Sequence, residues 1–316
     1  MPVKAKTIKD LPLKEVLDGS ESLLVQDLNG TKQAPLGPIV DEIKQNSQEK
    51  IREIESELAQ TNAQLSHTMK KTSFLAKAKT GFIAHRGSHI NAPENTLKSI
   101  HQAGLYGYEM VEIDVNRTKD GCYILMHDDT VDRTTNGTGR VDSFTLDEIK
   151  QLMVVEDFSG KDANEIIRIP TLEEAVQECR KQGLGINLDC GKLNWTKEIC
   201  EMAVSLLKKY GLYEKSFFVI SNPEQRQLLT SLYHDVNVTW LASGDIEPNI
   251  IEAKKYQNAF ITYSVTEINP QMIARCHEEN IPVFIYNCHD WDKAYSMIKL
   301  GVRFVETDWI LPGGEF

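Results

Sequence analysis

The chain has 316 residues, 41% of them hydrophobic and 26% charged, which excludes a disordered, collagen-like or disulfide-stabilised protein and leaves room for one large domain and an extra module. Asp and Glu total 46 against 35 Lys and Arg, and the formal net charge of -11 argues against nucleic acid as a partner. Six scattered cysteines, an N-terminus without the apolar segment of a signal peptide and the lack of any membrane-spanning apolar run predict a chain that is made in the reducing cytoplasm and stays there unless it leaves by another route.

The N-terminal region predicts a short hairpin over residues 21–36, because an apolar strand runs into Asn29-Gly30, a frequent two-residue turn, and a polar strand returns. Residues 39–75 are polar and lack Gly and Pro, which favours a long helix. Residues spaced alternately three and four apart form a heptad seam along it: Ile51, Ile54, Leu58, Thr61, Leu65, Thr68, Thr72 and Leu75.

A helix with such a narrow, partly polar seam is not stable alone, so it needs a partner. We predict a parallel homo-oligomeric stalk through residues 39–75, with a helix lying on its own catalytic domain as the alternative. A hairpin followed by a coiled-coil-like helix resembles the N-terminal attachment modules of bacteriophage tail and head-fibre proteins. By analogy with fibres, this resemblance favours a trimer located in a virion tail.

From Gly81 onward, short β-rich runs alternate with amphipathic segments, a pattern that predicts an α/β fold and a (β/α) barrel rather than an open sheet. Nine strands are expected where a barrel has eight, so one should be irregular or paired in a hairpin. We therefore expect three segments: an attachment module (1–38), a coiled-coil helix (39–78) and a barrel (79–316). The predicted strands are Phe82–His85, Met110–Asn116, Tyr123–His127, Gly185–Asp189, Phe217–Ile220, Val238–Leu241, Phe260–Tyr263, Pro282–Tyr286 and Arg303–Glu306.

Reactive side chains of a barrel lie at the carboxyl ends of its strands. The first strand ends in His85-Arg86, a proton carrier followed by an anion-binding guanidinium, although a purely structural histidine is the alternative. Glu112 and Asp114 are two apart in the second strand and should project from one face. Two inward-facing acids need a cation, and oxygen ligands favour Ca²⁺ or Mg²⁺; hydrogen bonds to lysines are the alternative.

A turn at Asp120-Gly121 predicts a hairpin in which Lys119 and Cys122 flank the turn. In that register Asp114 lies directly opposite His127, so that both share one surface. Gly185–Asp189 is another strand that ends in a carboxylate. Asp189 is the expected third metal ligand, with a helix cap as the alternative.

These residues stand in four motifs whose order and spacing closely resemble those of the glycerophosphodiester phosphodiesterase family, over residues 81–312. The motifs are Ala84-His85-Arg86-Gly87, Pro93-Glu94-Asn95-Thr96, Glu112-Ile113-Asp114 and His127-Asp128. The resemblance implies a distorted TIM (β/α)8 barrel of the PI-PLC-like phosphodiesterase type and a divalent-metal site, commonly Ca²⁺ or Mg²⁺. It also implies metal binding by Glu112 and Asp114, acid–base roles for His85 and His127, and phosphate contact by Arg86.

One position departs from the family. Its fourth strand usually carries Glu, one residue and then Lys, where this chain has Asp189-Cys190-Gly191, so the phosphate-binding lysine is missing unless Lys192 replaces it. Glu94 is expected to support the site, and Asn95 and Thr96 to end a loop and cap a helix. The remaining histidines are predicted to be surface or packing residues: His89, His101, His234, His277 and His289.

The predicted function is metal-dependent hydrolysis of glycerophosphodiesters. One histidine would deprotonate the nucleophile, which is the neighbouring glycerol hydroxyl or a water, and the other would protonate the leaving alkoxide. The phage-like N-terminus suggests that the substrate is a glycerol-phosphate polymer of the teichoic-acid type. The alternative is a non-enzymatic structural or receptor-binding virion protein whose barrel binds a ligand without turnover.

Overall fold

The computed structural model describes residues 22–27, 30–35, 41, 45–54, 56, 80–155 and 166–312. The chain divides into two compact units, Met1–His67 and Thr68–Phe316. In the first unit, β1 (Ser22–Asp27) and β2 (Gly30–Pro35) form an antiparallel hairpin in which Asp27 lies opposite Gly30. The predicted hairpin is therefore confirmed, but Gly30 belongs to the second strand and not to the turn.

Part of the predicted stalk is described. Residues 45–54 are helical, and the seam residues Ile51 and Ile54 are 55% and 57% exposed. The other six seam positions, from Leu58 to Leu75, lie outside the described residues. The stalk and its oligomeric state stay predictions.

The second unit alternates strands with helices. Its strands are β3 (Gly81–Ala84), β4 (Met110–Arg117), β5 (Tyr123–Leu125), β6 (Gly185–Asp189), β7 (Ser216–Val219), β8 (Asn237–Thr239), β9 (Leu241–Ala242), β10 (Asn258–Ala259), β11 (Ile261–Ser264), β12 (Val283–Tyr286) and β13 (Phe304–Thr307). Its helices are α1 (Leu97–Leu105), α2 (Leu146–Ile149), α3 (Leu172–Gln182), α4 (Lys197–Lys209), α5 (Pro223–Leu232), α6 (Ile246–Ala253), α7 (Pro270–Glu278) and α8 (Trp291–Lys299).

The strands close into a parallel barrel. Strands β8 and β9 are separated only by Trp240, and β10 and β11 only by Phe260, so each pair occupies one strand position. Because β8 pairs with β10 and β9 with β11, the sheet order β3-β4-β6-β7-β8/β9-β10/β11-β12-β13 returns to β3. The extra strand among the nine predicted is β5, which pairs antiparallel with β4 outside this ring. The expected eight-position barrel with one strand in a hairpin is confirmed.

Aromatic side chains fill the barrel interior below the site. Phe217, Phe260, Phe284 and Phe304 form one buried cluster, and the ring centroids of Phe284 and Phe304 are 4.8 Å apart. The outward residues of the same strands pack in the large core beneath the helices. The barrel is therefore a packed core, and its polar inward residues collect at the carboxyl ends of the strands.

The register of the β4–β5 hairpin differs from the prediction by one residue. Val115 lies opposite Leu125, and the N–H of Met126 donates to the carbonyl of Asp114 at 3.1 Å. His127 is therefore not the partner of Asp114; it follows β5 by two residues. The predicted pairing is wrong.

The reason for the shift lies in the turn. Thr118 and Cys122 close the loop through a 2.9 Å hydrogen bond from the Thr118 N–H to the Cys122 carbonyl, which leaves Lys119, Asp120 and Gly121 in the loop. Gly121 has φ of +86°, the left-handed conformation that a three-residue hairpin loop requires near its end. A two-residue turn was predicted where a three-residue loop forms.

Candidate active site

The alternation of β4 separates its acids from its apolar residues. Met110 packs inside the barrel, while Val111 and Ile113 pack in the outer core. Glu112 and Asp114 therefore share the inward face with Met110, as the period-two pattern predicts. Both residues are buried, at 4% and 8% exposure.

Strand β6 brings the third acid to the same place. Glu112 lies opposite Asn187 and Asp114 lies opposite Asp189 in the parallel pairing of β4 with β6. One oxygen from each of Glu112, Asp114 and Asp189 lies within 4.8 Å of the others. All three predicted metal ligands are thus brought together, and we refer to them as the carboxylate cluster.

The carboxylate cluster is electrostatically strained without a cation. Burial, together with the charges of Asp114, Glu306 and Asp189, raises the pKa of Glu112 well above its usual value. Burial and the charge of Asp114 likewise raise the pKa of Asp189. Oxygen ligands that repel each other in this way fit a bound divalent ion, which relieves the repulsion. Among the described residues, the buried Oδ1 of Asn187 has no hydrogen-bond donor, which leaves a further oxygen at this site.

A fourth acid, the partly buried Glu306, was not predicted as a site residue. The Nδ2 group of Asn187 donates to its Oε2 at 2.8 Å. Burial raises the pKa of Glu306 to about 7, against the opposing effect of the His85 charge. The signal was present in the sequence, because Glu306 and Asp308 stand at the carboxyl end of the last barrel strand.

The loop after β3 holds two of the acids in place. The backbone N–H of Arg86 donates to Oε2 of Glu112 at 2.8 Å, and the Nδ2 group of Asn95 donates to Oδ2 of Asp114 at 2.7 Å. Arg86 and Asn95 both have left-handed backbones, with φ of 53° and 54°. Thr96 caps α1 as expected. Asn95 has a different role from the predicted one, because its side chain positions an acid of the cluster.

Two arginines connect the cluster to a neighbouring carboxylate. The Nε of Arg86 lies 3.4 Å from Oδ2 of Asp114, and its Nη1 donates to Glu94 at 3.2 Å. Arg133 donates to the same Glu94 at 2.7 Å and to Oδ2 of Asp128 at 2.7 Å. Burial opposes the ionisation of Glu94, but the hydrogen bond from Arg133 and the charge of Arg86 lower its pKa. Glu94 supports the site in this way.

His85 extends β3 and is held by a carboxylate from β13. Thr307 lies opposite Ala84, which brings Asp308 beside His85, and the His85 Nδ1 is 2.6 Å from Oδ1 of Asp308. Burial lowers the pKa of His85, but the hydrogen bond to Asp308 and the charge of Glu306 outweigh it and raise the pKa overall.

His127 is held in the same manner. Its Nδ1 lies 2.6 Å from Oδ1 of Asp128. The hydrogen bond from Arg133, together with that from His127, lowers the pKa of Asp128 to about 2. The charges of His127 and His85 oppose the rise in the pKa of Asp189, so both imidazoles act on the carboxylate cluster despite the wrong register prediction.

Two histidines assigned to the surface or to packing also contact Asp308. The Nε2 of His89 lies 3.1 Å from Oδ1 of Asp308, and the Nε2 of His289 lies 3.5 Å from Oδ2 of the same residue. The Asp308 N–H also donates to Nδ1 of His289 at 3.3 Å. His289 is exposed, as the surface assignment predicts, whereas nothing in the sequence indicates that both histidines contact Asp308.

Lys192 points away from the carboxylate cluster. Its Nζ pairs with Oδ1 of Asp129 at 3.0 Å. It lines a cavity of about 470 Å³ together with Arg117 and Arg140, and neither His85 nor His127 lines that cavity. Lys192 does not replace the missing lysine in this conformation.

A closed (β/α) barrel with acids and imidazoles at the carboxyl ends of its strands is the arrangement of a barrel enzyme. Within the described residues, no helix is both long and apolar enough to cross a membrane. Imidazoles held by carboxylates, beside a carboxylate cluster that could hold a cation, can supply proton carriers and charge stabilisation, which are the requirements of phosphodiester hydrolysis.

Comparison with known proteins assigns the family. Residues 85–311 match the glycerophosphoryl diester phosphodiesterase family. A glycerophosphodiester phosphodiesterase of Caldanaerobacter subterraneus subsp. tengcongensis is 31% identical over 232 residues, which cover 73% of this chain and 94% of that protein. The chain belongs to the glycerophosphoryl diester phosphodiesterase family. It is accordingly a phosphodiester hydrolase, and the alternative of a non-enzymatic virion protein is not supported.

Solved structures agree with this fold. A phosphodiesterase of Oleispira antarctica, in complex with the product sn-glycerol-3-phosphate, is 28% identical with a TM-score of 0.66, over 74% of this chain and 95% of that one. A glycerophosphodiester phosphodiesterase of Agrobacterium tumefaciens is 22% identical with a TM-score of 0.62, over 74% of this chain and 97% of that one, and shares the fold.

Proposed function

We propose that this enzyme hydrolyses glycerophosphodiesters with His85 and His127 as the acid–base pair and a divalent ion, Ca²⁺ or Mg²⁺, held by Glu112, Asp114 and Asp189. The observation that carries the proposal is that a carboxylate holds each of the two imidazoles in the same way. Each has its Nδ1 2.6 Å from a carboxylate oxygen, that of Asp308 or Asp128. A carboxylate on Nδ1 keeps the proton there and leaves the Nε2 lone pair free to accept a proton.

The proton transfers follow from this arrangement. One imidazole accepts the proton of the attacking hydroxyl, which is the adjacent glycerol hydroxyl or a water. The other, as imidazolium, donates a proton to the leaving alkoxide, which is too basic to leave unprotonated. Each transfer contributes roughly 10²–10⁴-fold to the rate.

Charge on the phosphoryl oxygens is balanced locally. The divalent ion would supply Lewis-acid stabilisation of that charge. Arg86 is proposed as the phosphate contact, because its guanidinium already borders Asp114 and Glu94. The hydrogen-bond network through Glu94 and Arg133 keeps Arg86 and Asp128 in fixed positions.

Hydrolysis of glycerophosphocholine or glycerophosphoethanolamine, followed as release of glycerol 3-phosphate, tests the proposal. His85→Ala and His127→Ala should each lower kcat by at least about 10²-fold with an unchanged circular dichroism spectrum. His101→Ala, which removes an imidazole paired with Glu178, is the matched control and should retain activity. Near-normal turnover in either site variant would refute the assigned roles.

We further propose a glycerol-phosphate polymer of the teichoic-acid type as substrate, a location in a phage tail, and a homo-oligomeric stalk through residues 39–75. The exposure of the helical seam residues Ile51 and Ile54 supports the stalk. An Ile51→Glu/Ile54→Glu variant should lower the mass measured by light scattering from oligomer to monomer.

Glycerol phosphate released from purified wall polymer would support the polymer substrate, and inertness towards all such polymers would contradict it.

A further inference from the structure

A second group of ligating side chains lies beside the carboxylate cluster. One ligating atom from each of His85, His89 and Asp308 lies within 4.8 Å of the others. We propose that these three residues, here called the imidazole site, bind a transition metal ion such as Zn²⁺, and that this ion inhibits the enzyme. The binding does not depend on the proposed function, whereas the inhibition rests on the role proposed for His85.

The donor atoms distinguish the two sites. Glu112, Asp114 and Asp189 offer only oxygen, which suits Ca²⁺ and Mg²⁺. Two imidazole nitrogens and one carboxylate with an open fourth position form a donor set typical of zinc, and imidazole ligands favour Zn²⁺, Cu²⁺ and Ni²⁺ over Mg²⁺. Both sites can therefore be filled at once by different ions.

The imidazole site is accessible and supported on its outer side. The side chains of His85, His89 and Asp308 are 24%, 16% and 19% exposed. Oδ1 of Asp308 lies 2.6 Å from one imidazole and 3.1 Å from the other, so small movements suffice for an ion to replace the shared proton contacts. His289 holds the opposite oxygen and the backbone of Asp308, a supporting contact that metal sites commonly require.

Occupancy of the imidazole site would change the protonation of His85. In the metal-free arrangement Nδ1 donates its proton to Asp308 and the Nε2 lone pair is free. A metal ion on Nδ1 uses the lone pair of that nitrogen, so the proton displaced from Nδ1 moves to Nε2 and the neutral ring carries its single proton there. An imidazole in this state cannot accept a proton from a nucleophile, and an imidazolium cannot form. The ion therefore removes His85 from acid–base catalysis.

Calorimetric titration of Zn²⁺ into the full, tag-free chain tests the binding, with Mg²⁺ in saturating excess to keep the carboxylate cluster filled. One ion per chain should bind, and His89→Asn and His289→Asn should each weaken binding by about tenfold or more. His101→Asn is the matched control, because it removes a histidine paired with a carboxylate elsewhere, and it should leave zinc affinity unchanged. Failure to bind, or equal affinity in His89→Asn, would overturn the site.

Two further readouts locate the ion. The ring centroids of His89 and Trp309 are 6.0 Å apart, so bound Co²⁺ should quench Trp309 fluorescence, and Trp309→Phe should remove that quenching. Zinc should also inhibit hydrolysis, with an inhibition constant raised about tenfold in His89→Asn when each variant is compared with its own zinc-free rate. Zinc that binds without inhibiting would contradict the proposed effect on His85 but not the proposed binding site. A chain inactive on glycerophosphodiesters would still give the calorimetric result, so the two proposals fail separately.

Discussion

The Nδ1 of His85 and the Oδ1 of Asp308 lie 2.6 Å apart although the residues are 223 positions apart in the chain. They meet because the last barrel strand, β13, pairs with the first, β3. Closure of the barrel thus gives the proposed proton carrier its carboxylate partner.

This contact predicts the effect of Asp308→Asn. An amide no longer fixes the proton on Nδ1, so part of the His85 population carries it on Nε2 and cannot act as a base. We expect kcat to fall by roughly 10²–10⁴-fold. The hydrogen bond and charge of Asp308 raise the pKa of His85, so the titration of His85 in the pH–rate profile should move to lower pH. Glu178→Gln, which alters the carboxylate beside His101, is the control. An unchanged pH profile would argue against a positioning role for Asp308.

Glu306→Gln should separate metal binding from stability. Glutamine preserves the contact with Asn187 but removes a charge that raises the pKa of Glu112. We expect the metal-free variant to unfold at a higher temperature than the parent at about pH 8, while its affinity for Mg²⁺ or Ca²⁺ falls by about tenfold. Thermal unfolding in EDTA and calorimetry measure the two effects. A lower melting temperature in EDTA would show that the charge is not repulsive there.

The stability of the metal-free protein should fall as pH rises from about 5 to 8. Glu306 has a pKa of about 7 in the fold against 4.5 ordinarily, so the folded state holds more protons than the unfolded state across this range. Glu112 and Asp189, whose pKa values are also raised, act in the same direction. The stabilisation from His85, with its raised pKa, is likewise present below 6.5 and lost as pH rises through its folded value.

A divalent ion binds the ionised acids and should offset this loss. The increase in melting temperature on adding Mg²⁺ or Ca²⁺ should therefore be larger at about pH 8 than at about pH 5. An equal increase at both values would show that the ion does not bind the buried acids.

Lys192→Met should have little effect on turnover. The lysine pairs with Asp129 rather than with the cluster, so kcat/KM should change by less than about threefold, as expected for an exposed ion pair. Arg86→Met is the comparison, because its guanidinium borders Asp114, and its kcat/KM should fall by about 10²-fold or more. A comparable loss in both variants would mean that Lys192 reaches the phosphate.

Local sequence patterns predicted much of the fold and part of the site. The alternation of Glu112 and Asp114 with apolar neighbours fixed their common face, and the strand ending in Asp189 aligned with them because parallel strands end at one rim. The residue opposite Asp114 was predicted wrongly, since a single extra loop residue at Gly121 shifts every pair.

The contacts that were not predicted from the sequence depend on closure of the barrel or on loop conformation. Asp308 reaches His85 and His89 only when β13 pairs with β3, and no local pattern in the sequence specifies that pairing. The sequence predicts only a loop residue at Asn95, and the contact of its side chain with Asp114 depends on its left-handed backbone. Glu306 and Asp308 could both have been found as site residues by applying the strand-end rule to the last strand, but that rule does not identify their partners.

The central claim is that Glu112, Asp114 and Asp189 together hold one divalent ion. A crystal of the full chain soaked in Mn²⁺, with anomalous scattering recorded at the manganese edge, tests it most directly. We expect a single strong peak within coordination distance of an oxygen from each of the three carboxylates, and we expect Asp114→Asn to abolish it. A peak elsewhere, or a peak unaffected by that substitution, would contradict it.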